Sequence, residues 1–160
     1  MIILGIDPGT TAIGYGVIKK NGRLKALNYG VIETTGTHSE KLSEIDKRIT
    51  KLIKKHKPDL VTLETLYFST NKKTAIAVAE ARGVITLIIN RAGVPMMEFS
   101  PNNVKSIVTC YGGSDKESVK KIVALTLGIK DFKARDDASD ALALAIRGAA
   151  EQLTPKQSHI

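Results

Sequence analysis

Two turn segments divide the first 33 residues into three short apolar runs, and this pattern constrains the fold more than any other feature. The runs are Ile2 to Ile6, Ile13 to Lys19 and Leu24 to Glu33, and the turns between them read D-P-G-T-T and K-N-G-R. Asn-Gly is a strong β-hairpin signal. Three strands in immediate succession predict an antiparallel ribbon, in which Asp7 lies at the C-terminal end of the first strand.

The remainder of the chain alternates between helical and extended patterns. A capping box, T-H-S-E from Thr37 to Glu40, precedes apolar residues at helical spacing that continue until Pro58. Short apolar strands follow at Asp59 to Glu64 and in V-P-M-M-E-F. Further helices are predicted at about Lys73 to Asn90, Pro101 to Thr109, Ser114 to Leu127 with Gly128 as its cap, and Asp136 to Ala149.

The order of these elements predicts an α/β fold with a mixed five-stranded sheet, its first three strands antiparallel, flanked by helices. A chain of 160 residues is the size of one domain with a substantial core. We therefore expect a single domain over residues 1–150 and a flexible C-terminal tail over residues 151–160.

The charge balance indicates the kind of partner. Twenty-four Lys and Arg residues against sixteen Asp and Glu residues give a net charge of +8, which favours nucleic acid over a merely basic surface. The single cysteine, Cys110, cannot form an internal disulfide, so the chain suits a reducing compartment. With no membrane-length apolar run or signal peptide in the sequence, we expect a cytoplasmic protein that does not associate with membranes.

Four acidic residues occupy positions that folding does not require to be acidic. Asp7 and Glu64 each end an apolar strand, and their side chains meet at one sheet edge if the two strands are neighbours. Asp137 and Asp140, in A-R-D-D-A-S-D-A-L-A, share one face of a helical first turn. Taken singly, each acid suits a strand end or a helix N-terminus, and Asp136 would also share a face with Asp140. Taken together, the four predict an acidic pocket.

Several carboxylates gathered in a basic protein need a counter-charge, and hard divalent cations supply it best. Magnesium and manganese prefer oxygen ligands and bind through a few carboxylates together with phosphate oxygens. Two such ions about 3.5 to 4 Å apart can activate a water and stabilise the leaving oxygen of a phosphodiester. None of the three histidines, His38, His56 and His159, lies in a comparable motif. This chemistry is that of a metal-dependent nuclease.

The Gly9-Thr10-Thr11 turn offers a competing interpretation, because it resembles the phosphate-binding turn of the actin-like sugar kinases. Such a kinase needs two domains that close over ATP, and the chain has the length of one. No Walker-type G-x-x-x-x-G-K-[ST] occurs either. The nuclease hypothesis is therefore favoured over the kinase hypothesis.

Six segments together resemble the RuvC family of bacterial Holliday-junction resolvases, in the same order and up to about Arg147. They are G-I-D-P-G-T-T-A-I-G-Y-G-V-I, V-T-L-E-T-L-Y-F, A-E-A-R-G-V-I, S-P-N-N-V-K, G-S-D-K-E-S-V and D-D-A-S-D-A-L-A-L-A-I. The resemblance implies an RNase H-like fold, a homodimer, and symmetric cleavage of four-way DNA junctions with Mg²⁺ or Mn²⁺. It also implies the branch-migration proteins RuvA and RuvB as partners.

Carried over residue by residue, the resemblance makes Asp7, Glu64, Asp137 and Asp140 the metal-binding catalytic residues, with Asp7 shared between two ions. The family motif selects Asp137 over Asp136, which we expect to cap the helix or to support the ligands.

The resemblance also implies residues that contact DNA. Tyr67 and Phe68 come shortly after the strand that ends at Glu64, and in the family aromatic side chains at this place stack on bases near the crossover. Core packing explains Phe68 equally well. Lys105 and Lys116 match the basic positions of the family, and a lysine near the scissile phosphate can also stabilise transition-state charge, which makes Lys116 a candidate catalytic residue. Arg82 is expected near the dimer interface or the DNA.

The long helix at Lys73 to Asn90 is apolar on more than one face, which indicates burial or a partner helix. The resemblance favours a two-fold dimer through this region. Thr65 and Ser114 depart from the residues common in the family, Gln and Ala, and neither is a proposed metal ligand. The alternatives that remain are a non-catalytic junction-binding protein and an RNase H-like nuclease that acts on structured RNA.

Overall fold

The computed structural model describes residues 1–65, 72–101 and 116–151, apart from the side chains of residues 72–74. The elements are β1 (Ile2–Asp7), β2 (Ala12–Asn21), β3 (Arg23–Glu33), α1 (His38–His56), β4 (Leu60–Glu64), α2 (Lys72–Arg91), β5 (Met96–Phe99), α3 (Lys116–Leu127) and α4 (Asp136–Glu151). The predicted helix from Pro101 to Thr109 lies outside the described residues beyond Pro101. Helix α4 continues to Glu151, and the rest of the predicted tail lies outside them.

The five strands form one mixed sheet in the order β3-β2-β1-β4-β5. Strands β1, β2 and β3 are antiparallel, which confirms the predicted ribbon, and β4 and β5 run parallel to β1. Strand β1 pairs with β4 up to Ile6 and Leu63, so the two following acids, Asp7 and Glu64, end neighbouring parallel strands. The sequence predicts that Asp7 and Glu64 meet if their strands are neighbours, and the structure shows that β1 and β4 are neighbours.

The predicted helix boundaries follow from local capping chemistry. The Thr37 hydroxyl accepts a hydrogen bond from the Glu40 N–H at 3.4 Å, and the Glu40 carboxylate accepts one from the Thr37 N–H at 2.7 Å. Helix α1 ends where Lys57 takes a left-handed conformation before Pro58. Helix α3 ends where Gly128 has a φ of +64°. Within the described ranges, no helix is long and apolar enough to cross a bilayer.

The sheet carries helices on both faces. Helices α1 and α2 bury Ile45, Ile49 and Ile85 on one face, together with the strand residues Leu4 and Ile6. Helices α3 and α4 cover the other face with a second cluster, whose buried members are Ile3, Ile18, Leu60, Phe99, Val119, Val123, Leu127, Leu142, Ala143, Leu144, Ala145, Ile146 and Ala149. Side chains that alternate along β1 and β4 therefore point toward different helix pairs.

Helix α4 lies unusually close to the sheet because the strands beneath it carry glycines. An added Cβ at Gly5 would stand 2.0 Å from the carbonyl oxygen of Ala141, and one at Gly14 would stand 1.8 Å from that of Asp137. No real Cβ tolerates such distances, so only glycine lets the α4 backbone rest on β1 and β2. This close packing fixes the height of the first turn of α4 above the sheet.

Helix α2 has an inner side and an outer side that both carry apolar residues. On the inner side Ala81, Ile85, Ile88 and Ile89 are buried, and Ala75, Val78 and Val84 are partly buried. An outer side that the sequence analysis did not identify carries Ile76 and Leu87, which are 67% and 48% exposed. Gly83 lies between them at helical spacing, and an added Cβ there would meet nothing within 4 Å.

Candidate active site

Strand alternation places Asp7 and Glu64 on the same face of the sheet. On β1, Ile3 and Gly5 face α4, and Asp7 follows at the same two-residue period. On β4, Leu60 and Thr62 contact the α4 side, and Glu64 follows in the same way. Because β1 and β4 are parallel neighbours in register, the two carboxylates meet at their C-terminal ends.

Helix α4 brings the other two acids to this edge. Gly14, which pairs with Asp7 across β1 and β2, lies against the Asp137 backbone. Asp140 is one turn further along α4, on the same face as Asp137. Both charges influence Asp7, since each contributes to its altered pKa. The structure therefore brings Asp7, Glu64, Asp137 and Asp140 together.

The electrostatics of this edge centre on Asp7. Burial raises the pKa of Asp7 from 3.8 to about 9, with further contributions from the Glu64 charge, a hydrogen bond between the two side chains, and the Asp140 and Asp137 charges. Without a cation, Asp7 thus retains a proton at neutral pH, and the Asp7 and Glu64 side chains are joined by this hydrogen bond.

The donor set suits a hard divalent cation, because it consists of carboxylate oxygens that repel one another without one. Among the residues that the structure describes, however, no group of three or more His, Cys, Asp and Glu side chains is arranged as a finished metal site. The residues fit a metal in type and location.

Asp136 directs its carboxylate away from this cluster. Its Oδ2 atom accepts a hydrogen bond from the Lys116 ammonium at 3.0 Å, and its Oδ1 atom lies 2.7 Å from the Lys120 ammonium. These bonds lower the pKa of Asp136, and the bond to Asp136 raises the pKa of Lys116. Asp136 is already the first residue of helix α4. The Ser139 N–H donates a hydrogen bond to the carbonyl of Arg135, the residue that precedes the helix. Of the two roles expected for Asp136, helix capping is therefore wrong, and support of the ligands stays a prediction.

Comparison with known proteins decides the family. The family model described as crossover junction endodeoxyribonuclease RuvC matches residues 3–148. The chain belongs to the RuvC family. This membership assigns it to the crossover junction endodeoxyribonucleases, whose family function is Holliday junction resolution.

Individual RuvC proteins are similar over most of their length. The crossover junction endodeoxyribonuclease RuvC of Clostridioides difficile is 45% identical over 150 residues, which cover 91% of this chain and 88% of that protein. The RuvC of Carboxydothermus hydrogenoformans is 44% identical over 150 residues, 92% of this chain and 95% of that protein. Thermus thermophilus RuvC in complex with a Holliday junction substrate superposes with a TM-score of 0.86 at 29% identity, covering 96% and 98% of the two chains. The fold is therefore RNase H-like.

Arg82, expected near the DNA or the interface in this RuvC-family chain, contacts the strands that carry the site. Its Nε donates a hydrogen bond to the Glu64 carbonyl at 3.3 Å, and its guanidinium forms an ion pair with Glu98 on β5. Its side chain is 20% exposed. Arg82 therefore fastens the end of β4 to α2 and β5, directly beside a proposed ligand.

Two further basic residues near the RuvC site were missed by the sequence analysis. Arg135 pairs with Glu33 at the end of β3 and lies 3.5 Å from the Asp137 carboxylate. Lys120 reaches Asp136 from α3. Local signals existed, since Arg135 directly precedes the acidic pair and Lys120 is four residues after Lys116. Neither signal shows that the side chains meet across two elements.

Of the other predicted DNA contacts, the structure describes Lys116. Lys116 is 70% exposed and stands at the start of α3, within the electrostatic reach of Asp137 and Asp140. Tyr67, Phe68 and Lys105 lie outside the described residues. Their roles stay predictions.

Proposed function

We propose that the chain is a metal-dependent endonuclease that resolves Holliday junctions by symmetric paired nicks in homologous recombination and DNA repair. The nicks would leave 5′-phosphates and 3′-hydroxyls. The observation that supports this most strongly is the environment of Asp7, where burial and three nearby carboxylates keep a proton on an aspartate. A site of this kind is costly in a protein unless a cation compensates it.

We assign Asp7, Glu64, Asp137 and Asp140 as the ligands of two Mg²⁺ ions, for which Mn²⁺ can substitute. When bound, the ions would polarise the scissile phosphate and lower the pKa of an attacking water. Asp7 and Glu64 must first give up the proton that they share, because a protonated carboxyl is a poor ligand. The Arg82 hydrogen bond to the Glu64 carbonyl holds the strand end on which this exchange takes place.

Lys116 is the proposed catalytic residue that is not a ligand. Its exposed ammonium lies at the catalytic edge, where it can contact the scissile phosphate and stabilise the charge that develops on the oxygens. Tyr67 and Phe68 are proposed to stack on bases at the crossover, and Lys105 is proposed to bind the phosphate backbone. Arg82 is a proposed DNA contact that would exchange its Glu98 partner for a phosphate.

We further propose a homodimer formed through the outer side of α2. Ile76 and Leu87 are exposed apolar side chains on the side of α2 that faces away from the core. Gly83 lies between them and leaves space for the close approach of a second helix. A two-fold dimer would present two catalytic edges to the two strands that must be cut. RuvA and RuvB are proposed as partners that deliver the junction, and the cytoplasm as the compartment.

The test of this function is cleavage of a synthetic four-way junction by wild type and Asp7→Asn in Mg²⁺, with cut sites mapped. We expect paired symmetric nicks from wild type and none from Asp7→Asn, while junction binding survives. Asp46→Asn is the matched control, because Asp46 is an exposed acid on α1 across the sheet. Nicking by Asp7→Asn would show that the metal-site assignment is wrong.

Two comparisons separate the alternatives. A junction that is bound but never cut at any Mg²⁺ or Mn²⁺ concentration would indicate a binding protein. Faster cleavage of structured RNA than of the junction would indicate an RNA nuclease.

A further inference from the structure

The neighbouring acids Asp136 and Asp137 belong to two different networks. Asp137 faces Asp7 and Arg135, whereas Asp136 turns to α3 and binds two lysines, one on each carboxylate oxygen. The proposed function uses Asp137 and Lys116. It gives no role to Asp136, although Asp136 is the group that joins the two.

The two lysines differ in their freedom to move. Lys120 is 22% exposed and also lies 3.8 Å from Glu117, whereas Lys116 is 70% exposed. Lys120 is therefore the anchored contact of Asp136, and Lys116 is the contact that substrate can reach. A long lysine side chain at such an exposed position samples many rotamers unless a fixed partner holds it.

The Asp136 carboxylate is shared by two ammonium groups, and a second carboxylate, Glu117, lies 3.8 Å from Lys120 alone. Lys116 and Lys120 are four residues apart on α3, where like charges repel, and Asp136 lies between them. Because Lys120 occupies one oxygen of Asp136, that carboxylate is shared between two ammonium groups and is not paired with Lys116 alone. A single Asp–Lys pair at this place would instead be neutral and would compete with the phosphate.

We propose that Asp136 is a positioning residue that, with Lys120 as its anchored counter-ion, holds the Lys116 ammonium at the catalytic edge. The inference rests on the proposed function of this edge. Asp136 also connects two packed helices. Val119, Val123 and Leu127 hold α3 to α4 along its length, and the Asp136–Lys116 ion pair holds the N-terminal end of α3. Asp136 thus sets where the substrate-facing end of α3 lies relative to the carboxylates.

The test is a double-mutant cycle of Asp136→Asn and Lys116→Ala, read as single-turnover junction cleavage at saturating enzyme. Asp136→Asn alone should lower the rate constant roughly tenfold to a hundredfold, because misplacing a catalytic group by about 1 Å has effects of that size. In the Lys116→Ala background the same substitution should have no effect. Junction affinity, measured without divalent metal, should be at least that of wild type, because a negative charge near the phosphates is lost.

Control variants separate positioning from folding. Asp131→Asn removes an exposed acid from the segment between α3 and α4 and should leave the rate unchanged. Asp136→Glu keeps both ammonium contacts within reach and should recover most of the rate, so a loss as large as that of Asp136→Asn would overturn the proposal. If Asp136→Asn lowers the melting temperature, Asp136→Glu still tests the positioning role.

Two other results would overturn the positioning role. They are wild-type cleavage by folded Asp136→Asn, and an equal loss in the presence and absence of Lys116. Failure of the wild-type enzyme to cut the junction would instead contradict the proposed function, which keeps the two hypotheses distinguishable.

Discussion

Gly14 lies so close to the Asp137 backbone that an added Cβ would stand 1.8 Å from the Asp137 carbonyl oxygen. Gly14 is also the cross-strand partner of Asp7. One residue without a side chain thus sets how closely α4, which carries two proposed ligands, approaches β2 beside the strand end that carries Asp7. The absence of a side chain is here a requirement of the site.

Gly14→Ala should therefore damage both stability and cleavage. The added methyl group meets backbone atoms that cannot rotate away. We therefore expect the unfolding free energy to fall by about 1 to 3 kcal/mol and the cleavage rate to fall strongly. Gly30→Ala is the control, because its Cβ would meet mainly the Tyr15 ring, whose outer end can shift. Urea unfolding of both variants checks this, and equal stability losses would contradict it.

Asp7→Asn should stabilise the metal-free protein, increasingly so at high pH. The folded-state pKa of Asp7 is raised from 3.8 to about 9, so its contribution to stability is complete below about pH 4 and is lost as pH rises toward 9. Asparagine stays neutral throughout. We expect a melting temperature about 2 to 10 °C above wild type at pH 9 in EDTA, for a gain of about 1 to 3 kcal/mol, and a small difference at pH 5.

The measurement is a thermal melt of both proteins across this pH range. A difference that does not grow with pH would contradict the raised pKa. Added Mg²⁺ should stabilise wild type more than Asp7→Asn, because binding to the folded state alone raises its stability.

Lys116→Ala should lower single-turnover cleavage about a hundredfold, the usual effect of removing a group that stabilises transition-state charge. It should also reduce the slope of log Kd against log salt by about 0.9, the value for one lost phosphate contact. Lys121→Ala, on the same helix with an exposed side chain, is the matched control for cleavage. Equal rates for the two variants would argue against a catalytic lysine at position 116.

Leu87→Glu should convert the proposed dimer into monomers, because a charge would enter the apolar outer side of α2. Sedimentation of wild type and variant gives the masses directly. Leu125→Glu is the control, since Leu125 is 81% exposed on α3 and no interface is proposed there. A dimer that survives Leu87→Glu, or a wild type that is monomeric, would place the interface elsewhere or remove it.

Most of the fold could be predicted from local signals. The Asn21–Gly22 turn, the Thr37–Glu40 capping box and the glycine after α3 act within a few residues of sequence, and each works in the structure as the pattern indicates. The four carboxylates were also identifiable, because strand ends and a three-residue helical spacing are short-range properties. The resemblance to RuvC then selected Asp137 over Asp136.

The partners of these residues could not be predicted in the same way. The destination of the Asp136 carboxylate depends on how α3 lies against α4, and the Arg82 contacts depend on how α2 crosses β4 and β5. Sequence spacing carries no information about such contacts, because the residues lie on different elements and the sequence does not show how the loops between them orient those elements. The same reason explains why the inner and outer sides of α2 were not distinguished.

The strand and helix order, the acidic residues and the family could all be predicted from the amino-acid sequence, because they depend on local propensity and on short motifs along the chain. Packing between elements is what lets Gly14 admit the Asp137 backbone, raises the pKa of Asp7 beside Glu64, and brings two lysines to Asp136. Each of these is a property of packing between elements, where distances of a few ångströms and the exclusion of water set the energies.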